Sequence, residues 1–261
     1  MDLLLIILLS NLLGSVISLI GGILLLFRKG IGYKFSHYLS SFAAGTLLGT
    51  AFFALLPGPL EHAEEANIDS QLIFTWTLCG IIFFFLLERM LHWFHHHGFD
   101  DHAINGKPIV PLIIVGDSIH NFIDGIAIAA TFMVSIPAGI VTTLAVGAHE
   151  IPQEIGDFGI MLKNGISRLK ALIFNILSAC VSFIGALLAF YFGQKIEGVL
   201  PFFISIAAGF FLYISLSDLI PEIHHENKKG LAFIETFCLI AGIITIYLTL
   251  YIIQNVFHIT P

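Results

Sequence analysis

The chain has 261 residues, of which 57% are hydrophobic and only 11% are Asp, Glu, Lys or Arg, and its formal net charge is −7. A soluble chain carries roughly 25% charged residues, so this composition excludes a large soluble enzyme and a disordered protein, and the acidic balance disfavours a nucleic-acid partner. The three cysteines, Cys79, Cys180 and Cys238, sit in separate apolar runs without a CxxC, so they read as packing residues and not as a disulfide framework.

A polytopic all-α membrane protein remains, with the lipid bilayer as a partner. A span needs about 20 mostly apolar residues, and eight are expected in chain order: 3–27, 36–56, 72–94, 109–133, 138–162, 169–193, 200–219 and 231–256. The first is too long for a signal-peptide core and is kept as a span. The second is expected to stop at Pro57-Gly58-Pro59, and only Val134–Pro137 separates the fourth from the fifth. Together they form a single transmembrane domain.

Lys and Arg placement orients the spans. Arg28, Lys29, Lys34, Arg89, Lys107, Lys163, Arg168, Lys170, Lys228 and Lys229 fall on one side, and Lys195 alone falls opposite. That bias puts the odd-numbered loops in the cytoplasm and both termini outside it.

Three connecting stretches are polar. Glu61-His62-Ala63-Glu64-Glu65 reads as a solvated outer face or a cation-attracting one. His92, His95–His97, Asp100, Asp101 and His102 read as a solvated loop or a metal-capturing one. Asp218, Glu222, His224, His225 and Glu226 read as the polar end of span seven or as an exit site.

Spans four and five hold charge at the wrong depth. Asp117, His120, Asn121 and Asp124 follow i, i+3, i+4, i+7, one stripe of a helix. His149, Glu150, Gln153, Glu154 and Asp157 form a second stripe. Asp124, Glu150 and Glu154 without partners would cost on the order of 8–10 kcal/mol at the bilayer centre. His120 and His149 each lie about fifteen residues from the turn near 134–135, hence about 22 Å from it and at matching depth. Pro152 removes a helical hydrogen bond from the Ala148 carbonyl and predicts a kink. Gly125, Gly147 and Gly156 flank the stripes and would permit close helix approach.

Imidazole, carboxylate and amide oxygen at one depth suit a divalent transition metal. A structural polar network and a proton relay draw on similar groups, but stacked acids with two histidines favour an ion. His149-Glu150 also opens like an HExxH zinc hydrolase signature, although Gln153 stands where the second His belongs. That makes an intramembrane zinc hydrolase the rival expectation.

His120-Asn121-Phe122-Ile123-Asp124-Gly125 and His149-Glu150-Ile151-Pro152-Gln153-Glu154-Ile155-Gly156-Asp157-Phe158 resemble the signatures of ZIP (ZRT/IRT-like) divalent metal transporters. Lys170–Asn175 and Asp218–Glu226 are similar to the LIV-1 branch. The resemblance covers nearly the whole chain. It implies transport of zinc, iron(II), manganese or cadmium into the cytoplasm and no enzymatic activity. It also implies a 3+2+3 helix arrangement with inverted repeats, elevator-like alternating access, and often a homodimer. The transport site it implies maps to His120, Asn121, Asp124, His149, Glu150 and Gln153, with Glu154 as a compensating acid. Zn2+ or another divalent ion is then the transported substrate. Gln153 stands where the family commonly has His or Glu, which puts a second bridged metal in doubt. The missing long extracellular domain of animal relatives suggests a compact form in a bacterial inner membrane.

Overall fold

The computed structural model describes residues 2–27, 33–97, 109–193, 195, 198–224 and 229–255, and among these every regular element is helical. The helices, in order, are α1 (Leu3–Phe27), α2 (Tyr33–Thr50), α3 (Pro57–Glu65), α4 (Gln71–His97), α5 (Ile109–Val134), α6 (Ile136–Lys163), α7 (Arg168–Ala179), α8 (Val181–Gly193), α9 (Leu200–Tyr213), α10 (Ile220–His224) and α11 (Lys229–Asn255). Two π-helical stretches, Ala51–Leu55 and Ile214–Leu219, join α2 toward α3 and α9 to α10. Hydrogen bonding confined within each helix is what a chain in lipid requires, because no water satisfies its backbone there.

Among the described residues, six helical stretches are long and apolar enough to cross a membrane: His37–Glu65, Gln71–Met90, Ile113–Val134, Arg168–Gly193, Leu200–Leu219 and Ala232–Asn255. The apolar stretch in α1, Leu3–Leu19, is shorter. Helix α6 is 28 residues long, but its polar stripe holds its hydropathy down. The apolar surface sits on the periphery: Phe233 is 77% exposed and Phe237 66%, a pattern tolerable against lipid and not against water.

Three local features differ from the sequence expectation. Pro57 does not end the second helix. It enters the first turn of α3, where the missing N–H has no partner to lose, and Glu61 to Glu65 are therefore helical and mostly exposed. The link between α5 and α6 is one residue, Ser135, whose side chain accepts from the Ala138 N–H at 3.4 Å while Pro137 sits in the first turn. The sixth expected span divides at Cys180 into α7 and α8.

Helix α6 runs on as helix through buried Pro152 and stops at a turn. Gly165 there has φ +81°, the Ile166 N–H donates to the Met161 carbonyl at 3.1 Å, and the Gly165 N–H donates to that of Leu162 at 3.0 Å. This is the left-handed glycine cap that closes a helix C-terminus.

Packing pairs α1 with α6, α2 with α11, α4 with α9, and α5 with α8. Fully buried Leu47, Ala127, Ala145, Ala186, Ala208 and Phe211 form the centre of the main core. One polar pair crosses the α2–α11 seam: His37 Nδ1 stands 3.1 Å from Glu235 Oε1, with side chains 4% and 0% exposed. Leaving a buried polar group without its partner costs about 1–3 kcal/mol. Glu235→Ala is therefore expected to lower the unfolding temperature in detergent clearly more than Glu61→Ala, an exposed acid, and equal unfolding temperatures would mean that the polar contact does not hold the seam.

Candidate metal site

The one-residue link at Ser135 makes α5 and α6 an antiparallel hairpin, and equal chain lengths on either side bring His120 and His149 level. Their Nε2 atoms stand 2.9 Å apart. Asp124 Oδ2 lies 3.7 Å from the His120 Nε2 and 3.3 Å from the His149 Nε2. Glu150 Oε1 lies 3.8 Å and 3.9 Å from the same two nitrogens. One ligand atom from each of His120, Asp124, His149 and Glu150 falls within 4.8 Å of the others.

Burial and hydrogen bonding define what this group can do. Asp124 is 2% exposed, His149 1% and Glu150 2%. Asp124 Oδ2 and both Glu150 carboxylate oxygens have no hydrogen-bond partner, a costly arrangement for buried acids unless a cation balances them. His149 Nδ1 lies 3.0 Å from the Ala145 carbonyl. Donation there fixes the tautomer and leaves the Nε2 lone pair facing the cluster, the orienting contact that metal-binding imidazoles use. Phe84 packs edge-on to the His120 ring at 5.7 Å, and Phe211 does the same to His149 at 6.2 Å. Two nitrogens and two carboxylate oxygens form the donor set of a tetrahedral zinc-type site.

The other expected residues, Asn121, Gln153 and Glu154, have hydrogen-bond partners of their own. Asn121 Nδ2 donates to Asp117 Oδ1 at 3.0 Å and Gln153 Nε2 donates to the same oxygen at 3.1 Å, so Asp117 clamps both amides from one side. Glu154, which the sequence placed among the ligands, turns to α7 and accepts a hydrogen bond from Asn175. The rival HExxH reading is not favoured, because position 153, where the second His belongs, holds a Gln that donates to Asp117. Gly125 does allow a close approach, of α5 to α8, whereas Gly156 faces open space.

Two cavities of about 320 and 350 Å³ lie on the Asp157 side of the cluster. One reaches His120 and the other His149, and both are bordered by Gln153, Asp157 and Asp218. The Tyr213 hydroxyl donates to Glu88 Oε2 at 2.6 Å beside the first of them. The side chains of His92 to His97, residues 98–102, the side chains of Glu222 and His224, and residues 225–226 lie outside the described residues.

Sequence reasoning passed over two stripes that the structure puts beside the cluster. Asn11, Gly14, Ser15 and Ser18 on α1 share the i, i+3, i+4, i+7 spacing of the α5 stripe. Asn175, Ser178 and Ser182 on α7 and α8 follow i, i+3, i+7. The same periodicity test that found α5 finds both, once neutral polar residues are counted with charged ones.

The family model ZIP Zinc transporter matches residues 2–109 and 96–250. The chain belongs to the ZIP zinc transporter family. Among ZIP relatives, Zinc transporter ZIP10 of Mus musculus is 40% identical over 132 residues, covering 51% of this chain and 16% of the relative. Zinc transporter foi of Drosophila melanogaster is 45% identical over 118 residues, covering 45% of this chain and 17% of the relative. Zinc transporter ZIP13 of Pongo abelii is 31% identical over 233 residues, covering 85% of this chain and 69% of the relative. The matched stretch is about one sixth of the length of ZIP10 or foi. These relatives are animal proteins, which lends no support to a bacterial inner membrane.

Proposed function

We propose that the chain carries divalent transition-metal ions, zinc foremost, across a cell membrane into the cytoplasm through His120, Asp124, His149 and Glu150. The observation that carries this reading is the buried convergence of two imidazoles with carboxylates whose oxygens have no hydrogen-bond partner. A dication balances both acids and uses all four donors. Asn121 and Gln153 then serve as neutral groups at the edge of the site, held by Asp117, and Glu154 braces α7. The relatives are named zinc transporters, which favours zinc over iron, manganese or cadmium.

The route follows from the cavities. They open from the histidines toward Asp157 and Asp218, the end of α6 that carries Lys163. The basic residues at that end support a cytoplasmic side, and cavities opening there suit release of metal inward.

Eight spans in a 3+2+3 order with both termini outside remain part of the proposal, and the packing supports it. Helix α1 lies on α6 as α8 lies on α5, and α2 lies on α11 as α9 lies on α4. Exchanging the first three spans with the last three, and α5 with α6, maps this set of contacts onto itself. Each π-helical stretch also ends two residues before a proline, Leu55 before Pro57 and Leu219 before Pro221. Such a repeat would let one group of helices slide against the other while carrying the site, in the manner of an elevator.

Flux into liposomes tests the function. The purified chain, reconstituted around a zinc-sensitive dye, is expected to admit zinc saturably and faster than manganese. A folded protein that moves none of zinc, iron, manganese or cadmium would overturn the proposal.

A further inference from the structure

The α1 stripe ends at a second polar feature behind the cluster. A small cavity of about 10 Å³ lies between α1 and the α5–α6 hairpin, with Asn11, Ser18, Asn121, Asp124, Glu150 and Ser182 on its wall. Asn11 is 1% exposed, and its Oδ1 has no hydrogen-bond partner. Glu150 presents two unpartnered oxygens and Asp124 one.

Four polar side chains of this wall direct donors elsewhere. Asn11 Nδ2 donates to the Ile7 carbonyl at 3.0 Å. Ser18 Oγ donates to the Ser15 carbonyl at 2.8 Å and Ser182 Oγ to that of Ala179 at 2.7 Å. Asn121 Nδ2 is held by Asp117. What these four groups offer the cavity is acceptor oxygen, in a space about the size of one water, which needs 2–4 polar partners.

We propose that this cavity holds one water molecule donating to Asn11 Oδ1 and to a Glu150 carboxylate oxygen, which makes Asn11 a positioning residue for the metal site. The inference rests on the proposed transport function. Glu150 uses one oxygen toward the histidines, and its second oxygen has no hydrogen-bond partner among the described residues. A water anchored on α1 gives it one and fixes the carboxylate's rotation. Contacts of this kind, one step removed from the metal, are worth about 10–100-fold in metal affinity.

The test compares variants of equal bulk. Asn11→Ala and Asn11→Ser differ by one hydroxyl, and only Ser keeps an anchor for the water. Asn11→Ala is expected to weaken zinc affinity in detergent, measured by calorimetry, by about 10–100-fold, and to raise the KM of liposome uptake by a similar factor with Vmax little changed. Asn11→Ser is expected to stay near wild type in both. Wild-type affinity and KM in Asn11→Ala overturn the inference, as does equal impairment in Ala and Ser, which marks a packing role. Zinc binding that needs sodium, lost when choline replaces it, also overturns it by putting an ion in the cavity. His149→Ala, run alongside, separates the two levels: unchanged zinc affinity there sinks the transport site itself and not merely the part played by Asn11.

Discussion

His120→Ala and Glu150→Ala are each expected to lower zinc uptake by more than about 100-fold while the protein still folds. Residues that only orient a ligand are worth about 10–100-fold in affinity, so loss of a ligand itself exceeds that. The two variants fail for different reasons. Without His120 the donor set falls to one nitrogen and two carboxylates, and the His149 Nε2 loses the neighbour that stands 2.9 Å from it. Without Glu150 a single buried carboxylate, Asp124, is left to balance a dication. Glu150→Gln is expected to fail nearly as badly, since it keeps the shape and removes the charge. Glu154→Gln is the contrasting case: Glu154 is as buried as Glu150 but is bonded to Asn175 across the α6–α7 contact. It is expected to retain zinc affinity and to lose stability. Calorimetry with zinc and unfolding temperature in detergent give the two readouts. Normal uptake by both His120→Ala and Glu150→Ala would remove the four-residue site from consideration.

Those residues were legible because two periodicities had to agree. The α5 stripe repeats at helix spacing, the α6 stripe does too, and a single tight turn fixes their relative height. Counting from the turn therefore aligned His120 with His149 before any coordinates existed. Glu154 shows where that reasoning stops. It is adjacent in sequence to Gln153 and only about 100° further round the helix. Periodicity says which way it points and not which helix lies there. Its partner, Asn175, comes from α7, which helix spacing within α6 cannot see.

Two further misreadings have simple causes. Pro57 looked like a stop because proline breaks a helix interior, but the chain places it at the start of a new turn after a π-helical stretch. π-helical segments add a residue to a turn and leave no sequence mark of their own. The polar row on α1 was hidden by weighting charge over neutral polarity. Asn and Ser are inexpensive in a helix whose backbone carbonyls accept from their side chains, as they do from the Asn11 amide nitrogen and the Ser18 hydroxyl. Helix α6, expected as the span 138–162, is the converse case: its polar stripe lowers its hydropathy, yet its length still marks it in the sequence.

The glycines within the two motifs separate in the same way, and the contrast gives the other large effect. Gly125 and Gly156 look alike in sequence, each beside an acidic stripe. A Cβ on Gly125 would run into the Ser182 carbonyl oxygen of α8, and one on Gly185 of α8 would run into the Phe122 carbonyl of α5, whereas a Cβ on Gly156 meets nothing within 4 Å. Backbone cannot swing aside as a side-chain tip can, so Gly125→Val must push α5 away from α8. Overpacking of this kind costs about 1–3 kcal/mol or more. It also drags Asp124, the adjacent residue, from its place 3.3 Å from His149. A site held to within about 0.5 Å of its productive geometry does not survive such a shift, and a displacement near 1 Å can cost about 100-fold. Gly125→Val is thus expected to lower both unfolding temperature and zinc uptake, the latter by about 100-fold. Gly156→Ala is expected to leave uptake unchanged and to gain about 0.5–1 kcal/mol, because alanine restricts the unfolded chain more than glycine does. Equal behaviour of the two variants in paired melting and uptake measurements would mean that α5 and α8 are not in backbone contact, and with that contact gone Asp124 would have no fixed place opposite the histidines.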